Sequence, residues 1–383
     1  MASYSLRKIA CESFAEGSKL ISGLVDVAPG YGSPQITDFL TSLSDELGLP
    51  LSIYAPSISQ FPALKMPGCQ IFNYGSSRLS LWSAAWWREA LVDIRQSLRL
   101  RETKVLVLTH VDFLTFLDSK DLGSDTTVVF LCLEPTEHSA NFKLLQASSL
   151  ANRVNHWIFP ERERAVHEAG LWQVPESKIN LCLNVSKTIS APTHPDKTAR
   201  MIYAGSLDIK ATAGQKLALP ESMKFPIDIY GEVQGGAEVA ELEAALADHT
   251  GERRFLGGVS RKDLLGRLPR YSFSIVFWEP VTPAFLNACP NKFFEALSAG
   301  VPVIAAPHPQ CVELINRYQC GVLLRDWSSQ AWIEGLARAA ALMRTSDYQK
   351  LVDGCHRAVS KELNWEAQYG PVINKVVENV RRA

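Results

Sequence analysis

At 383 residues the chain is longer than one hydrophobic core usually serves, so two domains of ordinary size are expected, with a ligand cleft between them. Its 46% hydrophobic and 21% charged content is that of a globular protein and excludes a disordered one. A formal net charge of -1 leaves no overall basic field to hold phosphates, and no nucleic-acid partner is expected.

Met1 to Gly17 carry Arg7, Lys8, Glu12 and Glu16 among short apolar pieces, unlike the core of a secretory signal, so the expected location is cytoplasmic. Strands are then predicted over Leu20–Val27, Leu51–Tyr54, Gln70–Asn73, Lys104–Thr109, Thr127–Leu133 and Val154–Phe159, with helical patterns such as Ile36–Leu47 and Leu81–Leu100 between them. The run Val105-Leu-Val-Leu-Thr-His-Val is interrupted and too short to span a bilayer. Ser186–Thr198, rich in proline, serine and threonine, reads as an exposed connection. The alternation restarts with Met201–Ala204, Ile227–Tyr230, Arg254–Leu256, Phe273–Phe277, Val301–Ala305 and Gly321–Leu324. The class is α/β: two consecutive doubly wound halves, 1–188 and 189–360, related by architecture and by no sequence repeat.

The eight cysteines are scattered and none forms a C-x-x-C pair, which suits reduced thiols packed as small hydrophobes. No His/Cys/Asp cluster has zinc spacing, and no metal is expected.

The segment richest in chemistry is Asn287-Ala-Cys-Pro-Asn-Lys-Phe-Phe-Glu-Ala-Leu-Ser-Ala-Gly-Val-Pro-Val-Ile-Ala-Ala306. It reads as a helix over Asn291–Ala299, a Gly300 terminator and a buried strand. Phe294, Leu297 and Ser298 share one side of that helix, while Lys292 and Glu295, three apart, share another. A helix start offers unpaired N–H groups and a partial positive charge to a diphosphate, and Lys292 adds a full one. Glu295, one turn on, is placed to accept hydrogen bonds from the hydroxyls of a ribose. On an ordinary helix the same two residues would be an exposed pair worth about 0.3 kcal/mol.

The segment resembles the C-terminal donor-binding motif of the GT-B glycosyltransferases of the family 4 type, Pro-x-Lys-[Leu/Phe]-x-Glu-x-x-Ala-x-Gly-x-Pro-Val-Ile. Pro290, Lys292, Phe293, Glu295, Gly300, Pro302, Val303 and Ile304 match it. The resemblance implies two Rossmann-like domains facing a central cleft, with a C-terminal helix, 361–383, crossing back to the first. It also implies that Glu295 binds the donor ribose and that the helix start, with Asn291, faces the diphosphate. Two departures stand out. Asn287 occupies the position where relatives often have a second glutamate, and Ser206 follows Gly205 where many have an arginine, leaving Lys210 as the phosphate cation of that loop. By the same resemblance Gly258 and Val259 cup the base, and Trp365 anchors the returning tail. His308 and Gln310, after a buried strand, are candidates for touching the donor, against the ordinary reading of a solvated loop histidine.

Signals in the first half are fewer. Gly30 and Gly32, in Ala28-Pro-Gly-Tyr-Gly-Ser-Pro-Gln35, resemble the glycine-rich loop after the first GT-B strand. At the ends of later strands stand Thr109-His-Val-Asp112 and Glu134-Pro-Thr-Glu-His138; Glu134, Glu137 and His138 are the catalytic candidates, able to take a proton from an acceptor hydroxyl or to stabilise charge at the anomeric carbon. Leu81-Trp-Ser-Ala-Ala-Trp-Trp-Arg-Glu-Ala-Leu91 suits core packing or an apolar acceptor groove, with weak peripheral membrane contact as the other reading.

The expected function is transfer of a sugar from a nucleotide diphosphate-sugar, UDP-linked in preference to GDP-linked, to a carbohydrate, lipid-linked or small-molecule hydroxyl. No cofactor beyond the donor is expected, and retention of anomeric configuration is what the resemblance implies. The alternatives are a catalytically silent GT-B binding subunit or another GT-B nucleotide-sugar enzyme such as an epimerase.

Overall fold

Each predicted strand forms, and the apolar runs are short because the strands are buried on both faces of parallel sheets. The computed structural model describes residues 19–29, 33–57, 68–75, 83–98, 102–139, 148–187, 197–208, 211–234, 239–247, 251–288 and 290–383. The chain divides into two units, 1–183 with 369–383, and 184–368. This division falls ahead of the 188/189 boundary expected from composition, and the returning segment begins at 369 rather than 361.

In the first unit, β1 (Leu20–Leu24), β2 (Leu51–Pro56), β3 (Cys69–Tyr74), β4 (Thr103–Leu108), β5 (Thr127–Leu131), β6 (Val154–Phe159) and β7 (Ile179–Leu181) form one sheet in the order β3-β2-β1-β4-β5-β6-β7. Every neighbouring pair is parallel. The strand order reverses between β1 and β4, so the chain leaves these two strands in opposite directions and opens a crevice at their carboxyl ends. Of the tryptophan-rich stretch, Trp86 and Trp87 belong to the core: both are buried with Tyr74, Phe113 and Phe130 under the Ala84–Ser97 helix, whose start is capped by Ser83. No described helix is long and apolar enough to cross a membrane.

The C-terminal helix, Trp365–Arg382, buries Tyr369, Val372, Ile373, Val376 and Val377, the spacing of one helical face. Its part within the first unit is fixed by polar contacts as well. Asn379 Nδ2 lies 2.9 Å from His156 Nε2, and Lys375 Nζ donates to Asn180 Oδ1 at 3.0 Å. Trp365 itself is 5% exposed, in keeping with an anchor.

In the second unit, β8 (Thr198–Ala204), β10 (Ile227–Tyr230), β12 (Arg254–Phe255), β13 (Tyr271–Val276), β14 (Val303–Ala305) and β15 (Gly321–Leu323) form a sheet in the order β12-β10-β8-β13-β14-β15, again parallel throughout. A short pair, β9 (Leu207–Asp208) and β11 (Val233–Gln234), extends beyond β8 and β10. Asp228 ties three strands together: Arg200 Nε on β8 donates to Oδ1 at 2.8 Å, Arg254 Nε on β12 at 2.7 Å, and Tyr271 Oη at the start of β13 donates to Oδ2 at 2.8 Å. Burial pushes this carboxyl's pKa up, but the hydrogen bonds from Arg254, Arg200 and Tyr271 outweigh it and hold the group below the usual range.

His156 makes the docking of the tail sensitive to acid. Burial first, then the charges of Lys375 and Lys178, push the imidazole from 6.5 down to about 4. Between those values the unfolded chain takes up a proton that the folded protein refuses, so this contribution is complete above pH 6.5 and declines as pH falls towards 4. The loss is on the order of 3 kcal/mol. Urea unfolding of His156→Gln and wild type across this range should show a shallower acid limb in the variant; parallel limbs would exclude the assignment.

Candidate functional site

At the carboxyl edge of the second sheet, the turns after β8, β10 and β12 are sewn together through glycine backbones. Gly205 N–H donates to Tyr230 O at 3.0 Å, and Gly231 N–H to Gly257 O at 2.9 Å. The approach is so close that a Cβ on Gly231 would stand 1.9 Å from the Gly205 carbonyl oxygen. Gly205, at φ +139°, would bring a Cβ to 3.0 Å from Lys292 Nζ. Lys292 thus reaches across this glycine floor, its ammonium 4.2 Å from the ring centroid of Tyr203. Tyr203 Oη in turn donates to Ser206 O at 2.8 Å, fixing the turn where the sequence lacks the arginine.

The helix carrying Lys292 runs Asn291–Ser298 and buries Phe293, Phe294, Ala296 and Leu297. Pro290 is its N-cap and no side chain caps it, so the first N–H groups stay available to an anion. Glu295 projects from the same helix face and is half-buried. Arg261, the first residue of the Arg261–Arg267 helix, gives Glu295 Oε1 two contacts, from Nε at 3.0 Å and from the terminal NH2 nitrogen at 2.9 Å. The same terminal nitrogen donates to Ser186 Oγ at 3.1 Å. Both donors fall on Oε1, which leaves Oε2 with acceptor capacity.

Gly258 is exposed and Val259 half-exposed in the turn after β12; a Cβ on Gly258 would meet Glu232 Oε1 at 3.2 Å. Asn287 ends the short Pro283–Leu286 helix, and its N–H donates to Pro283 O at 3.0 Å. Lys210, Gly30 and Gly32 lie outside the described residues. His308 departs from the solvated loop histidine of the sequence reading: it is 0% exposed, with Nδ1 3.0 Å from Leu286 O. The carbonyl can only accept, so Nδ1 is the donor, and burial lowers the imidazole's pKa.

In the first unit the described side chains of the catalytic candidates Glu134 and Glu137 both lie at the surface. Glu134 is exposed, Glu137 pairs with His167 on the surface at 3.0 Å, and the side chain of His138 lies outside the described residues. Their loop is held from below by buried Glu168, whose Oε1 accepts the Thr136 N–H at 2.9 Å. Polar groups gather instead at the β1/β4 crevice. Thr109 Oγ1 accepts the Asp26 N–H at 3.0 Å and donates to Asp26 Oδ1 at 2.5 Å. His110 stacks on Trp87 with centroids 5.1 Å apart, and its Nδ1 accepts the Asp112 N–H at 3.2 Å. Ser139 Oγ donates to Asp112 Oδ1 at 2.5 Å.

The sequence matches no protein-family model and no curated protein. Solved structures match it over nearly the whole chain. Sucrose-phosphate synthase from Thermosynechococcus elongatus is similar at a TM-score of 0.69 and 13% identity, covering 94% of this chain and 99% of that one. WaaG, a glycosyltransferase involved in lipopolysaccharide biosynthesis, gives 0.62 and 11%, covering 95% and 100%. S. aureus TarM, in complex with Fondaparinux, alpha-GlcNAc-glycerol and UDP, gives 0.61 and 8%, covering 95% and 100%. This is the GT-B fold.

Within that fold the sequence points to the Lys292–Glu295 helix, Gly205 and Gly258, which the structure places at the carboxyl edge of the second sheet. The sequence reading missed Gly231, although a glycine directly after the strand Ile227–Tyr230 was a visible signal. Arg261 carried none, because its link to Glu295 joins residues 34 positions apart. Asp26 was hidden within a strand predicted to run to Val27, whereas β1 ends at Leu24.

Replacing Gly231 with alanine should open the floor of this site. The added methyl has only backbone to displace, so a loss of about 1–3 kcal/mol is expected, read as a lower urea midpoint at unchanged m-value. Wild-type stability in Gly231→Ala would exclude so tight an approach.

Proposed function

We propose that the protein is a glycosyltransferase that moves a sugar from a nucleotide diphosphate-sugar to an acceptor hydroxyl, with the donor held by the second unit. The observation that carries the reading is the placement of Lys292 and Glu295 on one face of an uncapped helix start, with Lys292 laid over the glycine floor. The floor admits a phosphate close to backbone, and Lys292 and the helix N–H groups meet its charge. Lys210 is the further cation proposed for this role, in place of a divalent metal. Glu295, held by Arg261 through one oxygen, offers the other to the ribose hydroxyls. Gly258 and Val259 are the proposed base side, and Asn287 and Gln310 the proposed sugar side.

A UDP-linked donor is the preferred form, supported by UDP in the TarM complex. The similarity to WaaG and AviGT4, both glycosyltransferases, over nearly the whole chain supports transfer as the activity. Retention of configuration is carried over from the resemblance alone. The second reading, a silent binding subunit, draws on Ser206 and Asn287, where two charged groups of the family pattern are replaced.

Calorimetric titration with UDP, GDP and their sugars tests the reading, and no binding by any of them would reject it. Binding without turnover across an acceptor panel would favour the silent subunit. Glu295→Gln should weaken UDP binding by about 1–3 kcal/mol, the scale of charge-assisted hydrogen bonds, and barely alter binding of 2′,3′-dideoxy-UDP. Lys292→Ala should weaken both nucleotides alike. An equal loss for both in Glu295→Gln would remove the ribose role.

A further inference from the structure

We propose that His308, together with Gln310 and Trp278, reads the sugar of the donor and selects a neutral one that presents a hydroxyl, an inference that rests on the transferase reading above. The loops after β13 and β14 carry these residues at the carboxyl edge of the second sheet. β13 is the direct neighbour of β8, whose own turn carries Gly205. Contacts join the two loops into one cluster. His308 Nδ1 donates to Leu286 O at 3.0 Å, and the rings of His308 and Trp327 meet edge to face with centroids 5.8 Å apart. Trp327 Nε1 in turn donates to Trp278 O at 2.9 Å, and the Trp278 ring lies 5.0 Å from that of Phe285, the residue before Leu286.

Within this cluster His308 Nε2, Gln310 Oε1 and Trp278 Nε1 are buried and have no hydrogen-bond partner among the described residues. Native structures seldom strand a buried polar atom, and several in one cluster mark a place built for a polar group from outside the chain. His308 is fully buried, whereas Trp278 and Gln310 are half-buried, so the cluster has a solvent edge as well as a closed end. A histidine kept only to hold Leu286 would need Nδ1 alone, and asparagine could supply that donor without burying a second ring nitrogen. The hold itself bears on the sugar. Leu286 is followed by Asn287, at the position of the family's second glutamate, so His308 fixes the turn that carries Asn287.

The chemistry of the three atoms sets the class of sugar. Burial lowers the His308 pKa from 6.5, so above that pH the ring is neutral and, with Nδ1 donating, Nε2 is an acceptor. Gln310 Oε1 is a second acceptor, and the indole N–H of Trp278 is a donor. A hydroxyl suits this set, because it donates to a ring nitrogen or an amide oxygen and accepts from an indole. The carboxylate of a uronic acid only accepts, which leaves both acceptors facing lone pairs. Its charge would also need a cation, and Lys216, held beside Trp278 by Glu279, is already paired there at 3.2 Å.

The test uses the full chain and compares free nucleotides with their sugars by calorimetry above pH 6.5. One series is UDP, UDP-glucose, UDP-galactose, UDP-N-acetylglucosamine and UDP-glucuronate; the other is GDP, GDP-mannose and GDP-mannuronate. Within the series whose nucleotide binds, the wild type should bind a neutral sugar about tenfold or more tighter than the uronate. His308→Asn keeps a donor for Leu286 O and removes Nε2. It should lose about tenfold on that neutral sugar while the free nucleotide stays within about twofold. Of the monodeoxy analogues of that sugar, one should bind the wild type about tenfold more weakly than the parent, and His308→Asn no more weakly than the parent. If His308→Asn does not fold, Trp278→Phe decides: it removes the indole N–H, keeps an aromatic ring against Phe285, and should show the same selective loss. Equal losses for nucleotide and sugar nucleotide would make the role merely structural and overturn the inference, as would a uronate bound as tightly as the neutral sugars. Full sugar affinity in the folded variant would also overturn it, because ordered water alone would then meet these atoms. Failure of the wild type to bind any nucleotide would instead reject the transferase reading on which the inference stands.

Discussion

Where β8 and β10 end, two peptide backbones approach to a distance that leaves no room for a side chain. A β-carbon on Gly231 would lie 1.9 Å from the Gly205 carbonyl oxygen, and the bonds from Gly205 to Tyr230 and from Gly231 to Gly257 hold three successive turns at this spacing. The floor so formed is flat, polar and made of backbone, which is the surface a diphosphate needs in order to reach N–H groups. Lys292 depends on it directly, since its ammonium occupies the space that a side chain at residue 205 would take.

Charge is handled differently in the two units. In the second, acidic and basic groups at the site are paired: Glu295 with Arg261, and Lys292 with the face of Tyr203. Each partner fixes an orientation while leaving capacity for a ligand. Asp228 shows the contrasting case, with two arginines and a tyrosine filling its oxygens, which ties strands together and offers nothing outward. In the first unit burial raises the Asp26 pKa against the charge of His110 and the hydrogen bond from Thr109, the opposite condition from Asp228 although both are carboxylates at a sheet. At Asp26 the cost of burial prevails, whereas at Asp228 the hydrogen bonds from Arg254, Arg200 and Tyr271 outweigh it.

Much of the fold was legible because parallel strands buried on both faces must be continuously apolar, and the turns between them are marked by glycine, proline and polar runs. Val154–Phe159 and Ile227–Tyr230 form over the predicted residues, and the Asn291–Ser298 helix stops one residue short of the predicted end. The tryptophan-rich stretch carried no such signal, because a helix buried under a sheet and one laid on another apolar surface share a pattern. Packing beside Tyr74 and Phe113 places Trp86 and Trp87 in the core.

By itself the sequence determined the α/β class, the strand sequence of both halves, and the local pairing of Lys292 with Glu295 on one helix face, since all three follow from periodicity over a few residues. Only the tertiary structure decided which distant groups complete each site. Arg261 meets Glu295, Gly231 meets Gly205, Thr109 meets Asp26 across 83 residues, and His308 is buried against Leu286. Parallel sheets bring the ends of strands far apart in sequence to a common edge, and no local pattern records which of them become neighbours.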